Sequence, residues 1–167
     1  MADSFSAIAD DVYAVYYNPA GLSQLKGTQL GGAHTAFIRD VNYEVLGFAY
    51  PWGKKEGYSR HVLALGIHYL SVAKVERRSS DSTEAMGTFD STDASYGLTY
   101  AFGFSRSLSA GVTAKALSQR LDTYHSDTFA ADVGVLYKVN PDASLPVSLA
   151  AVMRNAGTRV SYVSGQS

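Results

Sequence analysis

The sequence predicts an all-β protein: an antiparallel transmembrane β-barrel preceded by an N-terminal segment that is not strand. Three observations predict it. From residue 29 onward, large apolar side chains recur with a period near two. The repeating segments outrun the soluble strand of about 5–6 residues and suit a tilted membrane strand of about 9–11. The intervening face is small and polar, with only a few charges at His68, Lys74, Lys115, Asp132, Lys138 and Arg154. A membrane barrel turns apolar side chains outward around a polar lumen, whereas a soluble barrel buries its large residues and carries denser charge outside.

The elements follow in order. Residues 5–17 read as a short helix or an irregular segment. Asn18-Pro19 favours a turn, because the residue before proline avoids the α region, and weak helical signals follow. Seven strands are expected near 29–39, 42–52, 61–75, 93–104, 107–121, 128–139 and 145–155, with an eighth beginning near 158. In the second, Leu46, Phe48, Tyr50 and Trp52 oppose Val45, Gly47 and Ala49, with Glu44 starting their side. In the third, Leu63, Leu65, Ile67 and Tyr69 oppose Ala64, Gly66 and His68. Tyr96, Leu98, Tyr100 and Phe102 set the fourth, and Leu108, Ala110, Val112 and Ala114 the fifth. Phe129, Ala131, Val133, Val135 and Tyr137 set the sixth, and Leu145, Val147, Leu149, Ala151 and Met153 the seventh.

Connection lengths suggest an orientation. Those near 53–60, 105–106 and 140–144 read as fairly short, and those near 76–92 and 122–127 as longer. Membrane barrels have short periplasmic turns and longer outer loops. The polar run from Glu76 to Glu84 then falls outside. Tyr50, Trp52, Phe102 and Phe104 gather at strand ends near the periplasmic boundary, as an interfacial aromatic girdle does.

Composition narrows the function. The chain has no cysteine, which removes disulfides, thiolate metal sites and cysteine nucleophiles together. A net charge of -1 argues against a nucleic-acid partner, which requires a basic surface. Twelve Tyr, 7 Phe and 15 Gly against 4 Pro favour strands and turns, and 17% charged residues falls below the roughly one quarter usual for soluble domains. No apolar run is long enough for a membrane-spanning helix. The four histidines lack ligand spacing, and neither a Gly-x-Ser-x-Gly elbow nor a phosphate loop occurs. No catalytic residue, metal or cofactor is expected. Asp10-Asp11 reads as a cation or arginine partner, or as a solvated turn or helix cap.

Asn18-Pro19-Ala20-Gly21-Leu22 resembles the N-terminal signature of the FadL-like outer-membrane barrels, which include PorV/PorQ and UPF0164 proteins. The resemblance continues through His34, Tyr43-Glu44, Phe89-Asp90, Ala94-Ser95-Tyr96, Ala114-Lys115, Ala131-Asp132-Val133-Gly134-Val135-Leu136-Tyr137 and Asn155-Ala156-Gly157. It implies a plug, or hatch, over residues 1–28 and a partial barrel over 29–167. It further implies seven or eight strands of a fourteen-strand barrel. Asn18, Pro19, Ala20 and Gly21 would be the plug or gating element. Glu44, His68, Lys115, Asp132, Lys138 and Arg154 read as lumen-facing polar residues, and all but His68 as an ion network holding the plug or as scattered hydrated lumen charges.

The start at Met1-Ala2-Asp3-Ser4 lacks a secretory leader, and the end lacks the terminal aromatic strand of such barrels. The sequence therefore reads as the N-terminal half of a longer protein. The function expected is passive transport of hydrophobic compounds, such as long-chain fatty acids, across the bacterial outer membrane. Its partners would be membrane lipid and a hydrophobic small molecule. The alternatives are a PorV-like component of type IX secretion, with secretion-system proteins as partners, and a soluble β-sandwich binding module.

Overall fold

A computed structural model describes residues 5–37, 40–78, 86–143, 147–158 and 163–164. The chain begins with two one-turn helices, α1 (Phe5–Ile8) and α2 (Ala14–Tyr17), and a 3-10 helix, Pro19–Gln24. Seven long strands follow: β1 (Gln29–Phe37), β2 (Val41–Lys55), β3 (Tyr58–Arg77), β4 (Gly87–Gly103), β5 (Leu108–Leu121), β6 (Tyr124–Lys138) and β7 (Ser148–Gly157). Each pairs antiparallel with the next in a simple meander, and the two-residue β8 (Val163–Ser164) pairs with β6. β1 and β7 do not pair with each other, so the sheet is all-antiparallel and open.

The 3-10 helix departs from the expected simple turn. Asn18 sits in extended conformation as its N-cap and accepts from the Ala20 N–H at 3.0 Å, while Pro19 starts the helix. Proline suits this position because its missing N–H would have no helical partner. Two connections are tighter than expected. β2 and β3 meet at Glu56-Gly57, where Gly57 has φ +82, and β5 and β6 meet at Asp122-Thr123. Gly53 and the two lysines imitate a loop, as do the polar residues 124–127, yet Lys54, Lys55 and 124–127 all pair across the ladder. β4 likewise starts at Gly87 rather than near 93, because Thr88, Phe89 and Ser91 pair with β3. Since the fifth connection is the tight one and the sixth spans 139–147, the length asymmetry used for orientation disappears. Much of the run from Glu76 to Glu84, over 79–85, lies outside the described residues, as do 144–146 at the expected start of the seventh strand.

β3 and β7 share one irregularity. In β3, Ala73 and Lys74 face the single residue Asp90; in β7, Arg154 and Asn155 face Asp132. Lys74 and Asn155 adopt left-handed backbone at φ +57 and +56. In each bulge the aspartate opposite accepts that residue's N–H, at 3.0 Å from Lys74 and 2.8 Å from Asn155. An extra residue loses its ladder partner, and the aspartate supplies one.

The two faces of the sheet have opposite characters. Leu46, Phe48, Tyr50, Leu63, Leu65, Tyr96, Leu98, Val135 and Tyr137 stand exposed on one. The other carries Ala49, Val62, Ala64, Thr99, Ala101, Thr113 and Asp132, all buried. Ala9, Val12, Val15, Leu22 and Leu25 cover that small-residue face and build the core with it. The fold thus buries its small side chains and leaves its large ones bare. Full burial of one Leu or Phe is worth about 1.5–3 kcal/mol, so the bare face forgoes a large stabilisation in water.

Candidate functional site: the cavity under the N-terminal segment

Asn18 anchors the N-terminal segment. It is fully buried; its amide nitrogen donates to Ser6 O at 2.8 Å while its oxygen caps the 3-10 helix. This close seat requires two glycines. A Cβ at Gly134 of β6 would lie 2.1 Å from Asn18 Oδ1, and one at Gly111 of β5 would lie 2.5 Å from the Pro19 carbonyl carbon. Ala20 O accepts from Ser109 Oγ at 3.0 Å, and Leu25 O from Ser59 Oγ at 2.6 Å. The expected plug residues Asn18, Pro19, Ala20 and Gly21 are therefore all buried against the sheet.

Tyr16 reaches farther. Its ring packs over Gly66, and its hydroxyl donates to Leu46 O, close to Ile67 O, while Ile67 N–H donates to it at 3.2 Å. Burial pushes its phenol up to about 12, so it stays a proton donor through the neutral range. Its ring meets His68 edge-on at 3.9 Å, and Tyr43 Oη bonds His68 Nδ1.

Beside Tyr16 lies a cavity of about 180 Å³ lined by His68, Lys115, Asp132, Arg154 and Asn155, among others. Lys115 Nζ is 2.7 Å from Asp132 Oδ1, with both side chains largely buried, and it also donates to Asn155 Oδ1. The same Asp132 oxygen accepts the Asn155 N–H across the bulge. Arg154 Nη1 lies 3.4 Å from Tyr16 O and ties the cavity to α2. Chemically, Arg154 and the Tyr16 phenol tie the segment to the sheet, while Lys115, Asp132 and Asn155 form a clasp across β5, β6 and β7 that borders the same polar hollow.

Four of the six residues expected to face the lumen thus converge. The other two do not. Glu44 stands on the apolar face with its ladder partner His34, whose Nδ1 is 3.5 Å away. The period of two puts Glu44 on the side of Leu46, so alternation overrides charge as the guide. Lys138 ends β6 beside Asp10, Gln24 and Lys26, in a separate polar hollow. Asp11 forms a local turn, its carboxylate accepting from Tyr13 N–H at 2.9 Å. Among the described residues, no three His, Cys, Asp or Glu side chains gather as metal ligands.

Sequence reasoning missed Tyr16, Tyr43 and Asn155 as site residues. Asn155 enters the site only because the bulge turns it to the same side as Arg154, and strict alternation would have turned it away. The three tyrosines at 13, 16 and 17 were the available signal for Tyr16.

Fold and site define a class: an open antiparallel meander with a docked N-terminal segment on its small-residue face and a bare apolar face behind. The family follows from the sequence. Residues 1–144 match the uncharacterised protein family UPF0164, and the chain belongs to that family. No curated protein and no solved structure matches it.

Proposed function

We propose that the chain belongs to a FadL-like outer-membrane β-barrel that passes hydrophobic compounds, long-chain fatty acids among them, down their gradient. The observation that carries this reading is the inversion of the sheet: Leu, Phe, Tyr and Val side chains exposed on one face, with small and polar residues under the N-terminal segment on the other. Monomeric soluble proteins rarely expose so continuous an apolar surface. Lipid is the solvent in which it is stable. In lipid the free edges of β1 and β7 must also be paired, because unsatisfied backbone groups cost several kcal/mol each. On this reading residues 5–25 are the plug, and the bonds of Tyr16 with Arg154, Leu46 and Ile67 beside the Lys115–Asp132 pair are what its movement would break.

Detergent dependence with heat-modifiable gel mobility tests the barrel. A monodisperse monomer in detergent-free buffer refutes it. Long-chain fatty acid retained through purification supports transport. Stoichiometric capture of a secretion-system protein, with no retained ligand, would instead favour the PorV-like role.

A further inference from the structure

The bare face is not uniform. At the end of the sheet beside the β2–β3 turn, Tyr50, Trp52, His61, Tyr100, Phe102 and Phe104 form one aromatic cluster. Trp52 stacks on His61 at 5.3 Å and 11°, and Phe102 meets Phe104 edge-on at 4.8 Å. His61 Nδ1 bonds Tyr100 Oη at 2.8 Å, and its Nε2 has no partner among the described residues. Arg60 lies over this cluster, its guanidinium carbon 5.7 Å from the centre of the Phe102 ring.

Arg60 makes no ion pair among the described residues, and neither do Lys54 and Lys55 at the end of β2. The carboxylate closest in sequence, Glu56, is taken: Arg106 holds it at 2.7 Å and Asp142 at 2.8 Å. An exposed guanidinium and a histidine nitrogen therefore border an aromatic patch that supplies no paired anion among the described residues. A guanidinium at an apolar surface is stable where an anion meets it, and a phosphate matches its planar donors two at a time. Aromatic side chains of this kind favour the level of lipid headgroups.

We propose that this strand-end patch is a binding site for the phosphate of an anionic glycerophospholipid. Arg60 is the principal donor, with His61 Nε2 beside it. The lipid chains lie along Tyr50, Trp52 and Phe102. The inference rests on the membrane reading above and adds a headgroup preference that reading does not require.

Trp52 is the only tryptophan of the chain, so its emission reports on the patch directly. The chain, folded in a zwitterionic detergent, is titrated with short-chain phosphatidylglycerol, short-chain phosphatidylcholine or inorganic phosphate. Trp52 emission should saturate at about fivefold lower phosphatidylglycerol than phosphatidylcholine, the effect of one cation near an anionic headgroup. Arg60→Gln should abolish the difference and Arg60→Lys should keep part of it, while gel mobility stays that of the parent. Inorganic phosphate should leave the emission unchanged. Equal midpoints for the two lipids, a preference that survives Arg60→Gln, or an equal response to inorganic phosphate would overturn the site. If Trp52 emission is the same in detergent as in detergent-free buffer, the membrane reading falls too; if it shifts in detergent but the midpoints agree, only the headgroup site falls.

Discussion

Gly134→Ala tests how the N-terminal segment is held. The added methyl would sit 2.1 Å from Asn18 Oδ1 and 3.0 Å from Pro19 Cδ, against a side chain that is fully buried. Either β6 or the segment must move. Forcing an extra methyl into a packed site costs about 1–3 kcal/mol. Displacing Asn18 also loses the cap on the 3-10 helix, about 0.5–2 kcal/mol. A total of about 1.5–5 kcal/mol is expected, concentrated in local opening of the segment.

Amide hydrogen exchange over residues 5–25 measures that opening. Protection should fall about 10- to 4000-fold. Gly27→Ala is the control, because nothing lies within 4 Å of the position its Cβ would take. Asn18→Ala removes the oxygen that clashes, so Gly134→Ala should cost less in that background, with a coupling of about 1–2 kcal/mol. If Gly134→Ala and Gly27→Ala exchange alike, or the two substitutions add without coupling, the close seat of Asn18 on β6 is wrong.

Three further outcomes follow from the same geometry. Asp132→Ala strands Lys115 and removes the acceptor of the bulged Asn155 N–H, so denaturant unfolding should show a loss of about 3–5 kcal/mol. Lys74→Gly should be neutral or stabilising by about 1 kcal/mol in the same assay, since it relieves a left-handed backbone at φ +57 and forfeits only an exposed ion pair with Asp40. Tyr16 has a folded-state phenol raised above its ordinary value to about 12. Its contribution is complete below the ordinary tyrosine range and is lost as pH rises through that folded value. Tyr16→Phe should remove this alkaline step from the exchange profile of residues 5–25.

The strand pattern was legible because alternation is a local property. Leu63, Leu65, Ile67 and Tyr69 lie on one face in the structure as they do in the sequence. Turn positions were less legible. Gly53 and Gly57 both have positive φ, but only the second closes a turn, and composition does not separate them. The site was half legible. His68, Lys115, Asp132 and Arg154 stand at inward positions of four different strands, and antiparallel pairing brings them to one cavity. Glu44 failed because its charge was weighed over its phase. Asn155 was invisible because a bulge reverses the side that period-two counting assigns.

Read alone, the chain's residues establish long antiparallel strands with large apolar side chains on one face and an interruption at Asn18-Pro19 before them. Those follow from side-chain period and from the restricted backbone of proline and its neighbour. Packing in three dimensions sets which face the N-terminal segment covers, seats Pro19 and Asn18 on Gly111 and Gly134, and joins Lys115, Asp132 and Asn155 in one clasp. Each of these depends on register between strands far apart in the chain. At Gly111 and Gly134 the missing side chain matters because Pro19 and Asn18 occupy the space a Cβ would need.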